Sequence, residues 1–112
     1  MLPKNTITIA VRRWYYDREE AKALYGSIAS WDTSAITRME GLFCLKRYFN
    51  EDLSRWDVSN VVTMDKMFAY ATSFGQVLGG SWTASTASKI RMFSHSPGQI
   101  AGKAKDQEGS VV

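Results

Sequence analysis

DLSRWDVSNVVTMDKMF, residues 52–68, is echoed on both sides: SIASWDTSAITRMEGLF spans residues 27–43 and VLGGSWTASTASKIRMF spans 77–93. Ile28, Leu53 and Leu78 recur at one fixed interval, and Leu42, Met67 and Met92 share it, as do Phe43, Phe68 and Phe93; Phe49 and Phe74 keep the same spacing. Trp31, Trp56 and Trp82 step by 25 and then 26, which reads as one residue inserted near Gly79-Gly80 and one removed before Phe93. The third copy is therefore degenerate. A fixed period of about 25 residues marks an array of structural repeats rather than an ordinary globular pattern.

Each copy has two halves. Leu53-x-x-Trp56-x-Val58 fits a short strand with Trp56 and Val58 inward and Asp57 and Ser59 outward, by the two-residue alternation of a strand. Ile28, Trp31 and Thr33 do the same in copy one. Val61, Met64, Met67 and Phe68 then fall at steps of three, three and one, suiting a short helical or 3-10 turn that buries one stripe. Ile36, Met39, Leu42 and Phe43 match them. The predicted fold is a leucine-rich-repeat-like solenoid, with a short β-strand and a short helix or 3-10 turn per coil of about 25 residues. Its expected core is Ile28, Trp31, Ile36, Met39, Phe43, Leu53, Trp56, Val58, Val61, Met64, Met67, Phe68, Leu78, Trp82, Met92 and Phe93. One coil buries too little to offset its own ordering, so the units must stack, and about three are the usual minimum.

The flanks differ in composition. Thr8 to Gly26 reads as helical, with Ile9, Val11, Trp14 and Tyr15 suggesting one apolar face, a capping box at Asp17–Glu20, and Gly26 as the stop. Residues 1–26 are thus expected to be an N-terminal helical cap covering the first coil, and 27–96 two complete repeats and a degenerate one. Residues 97–112, poor in large apolar side chains, are expected to be a loose tail.

With 112 residues, 45% of them apolar, the chain is one domain. The longest apolar run, around Ile7 to Val11, is too short to span a bilayer. No secretory signal is visible, because Arg12 and Arg13 follow that run instead of preceding it. Fourteen basic and eleven acidic residues give +3, with the signs interspersed, which argues against a nucleic-acid face. The lone Cys44 excludes an internal disulfide framework and a multi-cysteine zinc site.

The block Trp56-Asp57-Val58-Ser59, with Val61, Met64, Met67 and Phe68, preceded by FNEDLS and followed by A.A.SF, resembles the BspA-like leucine-rich-repeat family, also seen in mycoplasma-type surface lipoproteins. The likeness covers residues 25–93. Copy one keeps Trp31, Asp32, Ser34, Ile36, Met39 and Phe43; copy three departs, with Thr83 for the aspartate, Thr86 at the valine position and Ile90 near the first methionine. The resemblance implies a scaffold for adhesion or protein contacts, often at cell surfaces, with no catalytic residues and no cofactor.

On the outward strand positions, Ser30, Asp32, Arg55, Asp57 and Thr83 are the candidate partner-binding face. Asp32 above Asp57 suggests a calcium site or a ligand-binding stripe, but calcium wants about six to eight oxygens, and aspartates before serines more simply accept N–H groups of the following turn. Met39, Met64, Met67 and Met92 recur with the period and read as core, not as a soft-metal set. His95, the single histidine, has Ser94 and Ser96 beside it but no orienting acid in view. Cys44 occupies the position of Ala69 and Ser94, which suits a small half-buried side chain. Gly79-Gly80 is an insertion, not a phosphate loop, and Lys103 and Lys105 are too few for nucleic acid. The leading expectation is a non-catalytic interaction or adhesion module that takes a protein or cell-surface ligand. Behind it stand a structural N-terminal piece of a longer array and, remotely, an enzyme. An uncapped last coil would also allow edge-to-edge self-association.

Overall fold

Phe43, Phe68 and Phe93 lie in one file, with adjacent ring centroids 5.3 and 5.5 Å apart and planes tilted by only 3° and 2°. A file of parallel rings at this spacing fits backbones held at strand-like separation. The structure, a computed structural model describing residues 2, 3 and 5–103, shows how that separation arises. The N–H groups of Met39, Gly41, Phe43 and Leu45 donate to the carbonyls of Thr63, Asp65, Met67 and Ala69 at 2.8–2.9 Å. Met64, Lys66, Phe68 and Tyr70 donate likewise to Ser88, Ile90, Met92 and Ser94 at 2.7–2.9 Å. Every one of these bonds joins one copy of the repeat to the next, so three segments run parallel, level on level.

Between those bonds the chain turns back on itself. Leu42, Cys44 and Lys46 donate to the carbonyls three residues earlier; Met67, Ala69 and Ala71 repeat this, and so do Met92, Ser94 and Ser96. Alternate N–H groups thus serve the next level and the local turn, which satisfies the backbone without an extended strand. Only single-residue parallel bridges form here, from Arg38 to Thr63 and from Thr63 to Ser88.

The strand expected from Leu53 to Val58 is replaced by turns. Ser54 N–H donates to the Asp52 carboxylate and Ser59 N–H to that of Asp57, at 2.9 and 3.0 Å, and such side-chain turns compete with a straight strand. In copy one the corresponding stretch, Ile28–Ser30, is 3-10 helix. The inward and outward alternation survives: Trp56 and Val58 are buried, Asp57 and Ser59 exposed. Every residue assigned to the repeat core is buried, none more than 6% exposed. The short strands found are β1, Val77–Leu78, and β2, Gln99–Ile100, paired in parallel.

Indole N–H groups tie the levels together. Trp56 Nε1 donates to the Ile28 carbonyl at 2.7 Å, and Trp82 Nε1 to the Leu53 carbonyl at 2.9 Å. Trp31 has no earlier level and uses the Gly26 carbonyl. The extra residue near Gly79-Gly80 is absorbed by a five-residue 3-10 helix, Gly80–Ala84, which brings Trp82 to the equivalent place. In the third level Ala87, not Thr86, takes the inward position, and Lys89 replaces the inward methionine. Its ammonium donates to the carbonyls of Ser85 and Ala87. Ile90, placed near the first methionine by sequence, is 57% exposed.

Two helices precede the first level, α1 (Ile7–Tyr16) and α2 (Arg18–Tyr25). Asp17 accepts from Glu20 N–H at the start of α2, and Gly26 ends it with φ 81°, a conformation open to glycine. Ile7, Ala10, Val11 and Trp14 are buried, whereas Ile9, expected inward, is 54% exposed because it falls nearly half a turn away from that stripe. Trp14 meets Trp31 edge to face at 6.0 Å, and Trp31 stacks on Trp56 at 6.2 Å.

At the other end the described part of the expected loose tail, residues 97–103, is not loose but carries β2. Ile100, its one large apolar residue in the described part, is fully buried opposite Leu78 and extends the file of Ile28, Leu53 and Leu78. Residues 104–112 of the expected tail lie outside the described residues. Gly98 permits this closure: a Cβ there would sit 2.5 Å from one carbon of the Phe74 ring and 3.0 Å from one of Phe93. Where the first two levels carry Phe49 and Phe74, the third passes bare backbone over the ring. Gly98→Ala is therefore expected to lose about 1–3 kcal/mol through overpacking, read as a lower urea midpoint. An unchanged midpoint would mean that the closure over Phe74 is loose.

Candidate functional site

Turning at every second residue while keeping the ladder in register forces part of the backbone left-handed. Gly41, Lys66 and Arg91, equivalent positions in the three copies, have φ of 63°, 57° and 54°; Leu45, Tyr70 and His95, also equivalent, have 64°, 59° and 56°. A residue with a Cβ adopts this conformation at a cost of about 1–2 kcal/mol, and glycine avoids the cost. Only Gly41 takes that way out.

The five others all border one shallow depression of about 440 Å³, completed by Cys44, Ala69 and Ser94. Ala69 is buried and Cys44 and Ser94 half-buried, so these three small residues, one per level, form the floor of a groove crossing all three levels. Lys66 and Arg91 stand at one register. Leu45, Tyr70 and His95 stand at the other, exposed, with the Tyr70 and His95 rings stacked at 4.6 Å and 14°. Among the described residues no salt bridge engages Lys66 or Arg91. Asp65, next to Lys66, spends its carboxylate on Ser88 Oγ at 2.5 Å and Ile90 N–H at 2.9 Å, and the nearby Lys66 charge favours its ionised form without a salt bridge.

The face expected from sequence lies elsewhere. Ser30, Asp32, Arg55, Asp57 and Thr83 are all exposed, but most of their polar groups are used locally. Ser30 Oγ donates to the Ser27 carbonyl and Thr83 Oγ1 to that of Gly80. Asp32 accepts from the hydroxyl and N–H of Ser34, and Asp57 from those of Ser59. The Ser34 and Ser59 hydroxyls, then the N–H groups, hold both carboxyls below the usual carboxylate range, with the Asp32 charge pulling Asp57 slightly back. Ser54 N–H lowers Asp52 and the Ser88 hydroxyl lowers Asp65 in the same way. Arg55 makes no salt bridge among the described residues. No group of three His, Cys, Asp or Glu residues is gathered for a metal among the described residues. His95 meets Tyr70 instead of an acid, with Ser96 buried and Ser94 on the groove floor.

Leu45, Lys66, Tyr70 and Arg91 do not stand out in the sequence, because the positions they occupy change residue type from copy to copy. Gly41 in register with Lys66 and Arg91 was the available signal, since a glycine at one repeat position points to a left-handed turn in all of them.

Residues 10–102 match the family described as Mycoplasma protein of unknown function, DUF285. The chain belongs to that family. In general terms this is the BspA-like mycoplasma repeat family, and the DUF285 match takes in most of α1, all of α2, the three levels and β2. Searches of curated proteins and of solved structures return no match. Among the described residues no helix is long and apolar enough to cross a membrane.

Two outcomes follow from this geometry. Lys66→Gly removes the left-handed cost but adds glycine's freedom in the unfolded chain, so stability should hold or rise by about 0–1 kcal/mol, while Gly41→Ala should lose about 1 kcal/mol. Urea midpoints decide it, and a large loss in Lys66→Gly would assign Lys66 a structural role. Separately, depressed carboxyl pKa values mean that the unfolded chain binds more protons as acid is added. Their stabilisation is complete above the ordinary carboxylate pKa and fades as pH falls through and below it. The paired change Asp32→Asn and Asp57→Asn should flatten the fall of the urea midpoint from about pH 5 to pH 3; an equally steep fall would show that these turns carry none of it.

Proposed function

We propose that the chain is a short, helically capped solenoid of leucine-rich-repeat type, serving as a non-catalytic module for contact with proteins or cell-surface ligands. Its constant repeat register, parallel ladder and shared ring files support the solenoid reading. The observation that carries the function is the placement of the five bulky left-handed residues around one groove. Glycine would serve the backbone better at each of them, so the side chains are held there for what they meet outside. The resemblance of residues 25–93 to BspA-like surface proteins supports adhesion or protein contact as the use of that surface.

The experiment is an array of secreted and cell-surface proteins and glycans probed with the purified chain and with Leu45→Gly, Tyr70→Gly and His95→Gly combined. The intact chain should bind specific spots, and the triple variant should lose at least about tenfold in affinity, equivalent to about 1.4 kcal/mol, while remaining folded. Binding that survives in the variant would move the contact surface away from the groove. Turnover of any offered substrate that disappears in His95→Ala would instead establish an enzyme.

A further inference from the structure

Two registers of the repeat, four residues apart in each level, line the groove with unlike chemistry. Lys66 and Arg91 supply two exposed cations without ion-pair partners among the described residues, while Leu45 and the stacked rings of Tyr70 and His95 supply an apolar and aromatic set. The floor of Cys44, Ala69 and Ser94 is small enough for a backbone to lie along it. Adjacent levels are about 4.8 Å apart, so the run from the first level to the third is roughly 10 Å, the reach of about three or four extended residues. An extended chain sends successive side chains to opposite sides. Resting on the interaction reading above, we propose that the groove takes an extended peptide segment of a partner protein in which acidic residues alternate with aromatic or aliphatic ones.

In that arrangement each carboxylate meets the Lys66 ammonium or the Arg91 guanidinium, and the intervening side chains lie on Leu45 and the Tyr70–His95 platform. Arg91 can grip a carboxylate with two parallel N–H bonds, a geometry that Lys66 lacks. A nucleic acid fits the same cations less well. Two phosphate contacts release few counterions, and base-stacking proteins line a long basic track with rings, whereas here two cations and one stacked ring pair make up the whole set.

Fluorescein-labelled peptides of about ten residues, longer than the groove's reach, provide the test by anisotropy. One alternates glutamate with tyrosine, a second lysine with tyrosine and a third glutamine with tyrosine; a single-stranded oligonucleotide is the fourth probe. The glutamate peptide should bind, weaken in concentrated salt, and weaken at least about tenfold with either Lys66→Glu or Arg91→Glu. Both variants keep a side chain at the left-handed position, so thermal melts should match the parent, and Lys66→Gln with Arg91→Gln takes their place if they do not. Equal binding of the lysine or glutamine peptide, indifference to charge reversal, failure of all three peptides, or tighter binding of the oligonucleotide would each overturn the proposal. If the glutamate peptide fails while groove-dependent array binding persists, the ligand class is wrong and the module reading stands. Loss of both removes both.

Discussion

A ladder of backbone hydrogen bonds, each reaching from one copy of the repeat to the next, sets the distance between neighbouring levels, and the side chains have to fit that distance. Planar rings do so by lying parallel: Phe43 on Phe68 on Phe93, Phe49 on Phe74, Trp31 on Trp56. Within a level, Phe43 against Phe49 and Phe68 against Phe74 sit closer still, at 4.2 and 4.1 Å, so the files are joined sideways as well. The tryptophans add a polar bond across the levels. A buried indole N–H would cost about 1–3 kcal/mol if left alone, and each finds a carbonyl of the preceding level, Ile28 or Leu53, that also accepts from the backbone N–H of Trp31 or Trp56. Ring size and donor position together select tryptophan at this step of the repeat.

The same ladder explains the left-handed residues. Alternate N–H groups are spent on the next level, and the groups between them must find carbonyls three residues back. The chain meets both demands only by curling tightly at every second residue, and two positions in each level end with positive φ. Strain at these positions comes with the architecture, but bearing it with Leu45, Lys66, Tyr70, Arg91 and His95 does not. Gly41 occupies an equivalent position with a positive φ and no side chain, which separates what the backbone needs from what the surface presents.

Much of this was legible in the sequence. The period identified the buried files because apolar positions repeat only where the spacing of levels holds them, and Asp17, Glu20 and Gly26 marked the ends of α2. The strand at Leu53 to Val58 was misplaced, since burial alternates there as it would in a strand while Asp52 and Asp57 bend the backbone through their serine neighbours. Ile100 was missed because Gly98 shortens the path, so the fourth member of its file follows Leu78 by less than the full period. The groove was hidden for a different reason. Its chemistry is not periodic in residue type, only in conformation, and φ cannot be read from Lys66 or Tyr70 alone.

That difference between type and conformation follows from where the constraint acts. Inward positions must accept the next level at fixed separation, so Phe43, Phe68 and Phe93 are identical. Outward left-handed positions share a backbone shape but are not packed into the core, and they read Gly, Lys, Arg in one file and Leu, Tyr, His in the other, where Tyr70 and His95 stack on each other. A stack of this kind therefore separates its two tasks by direction. Substitutions on the groove rim change what the surface can grip at each level, and the ladder and the ring files beneath them stay as they were.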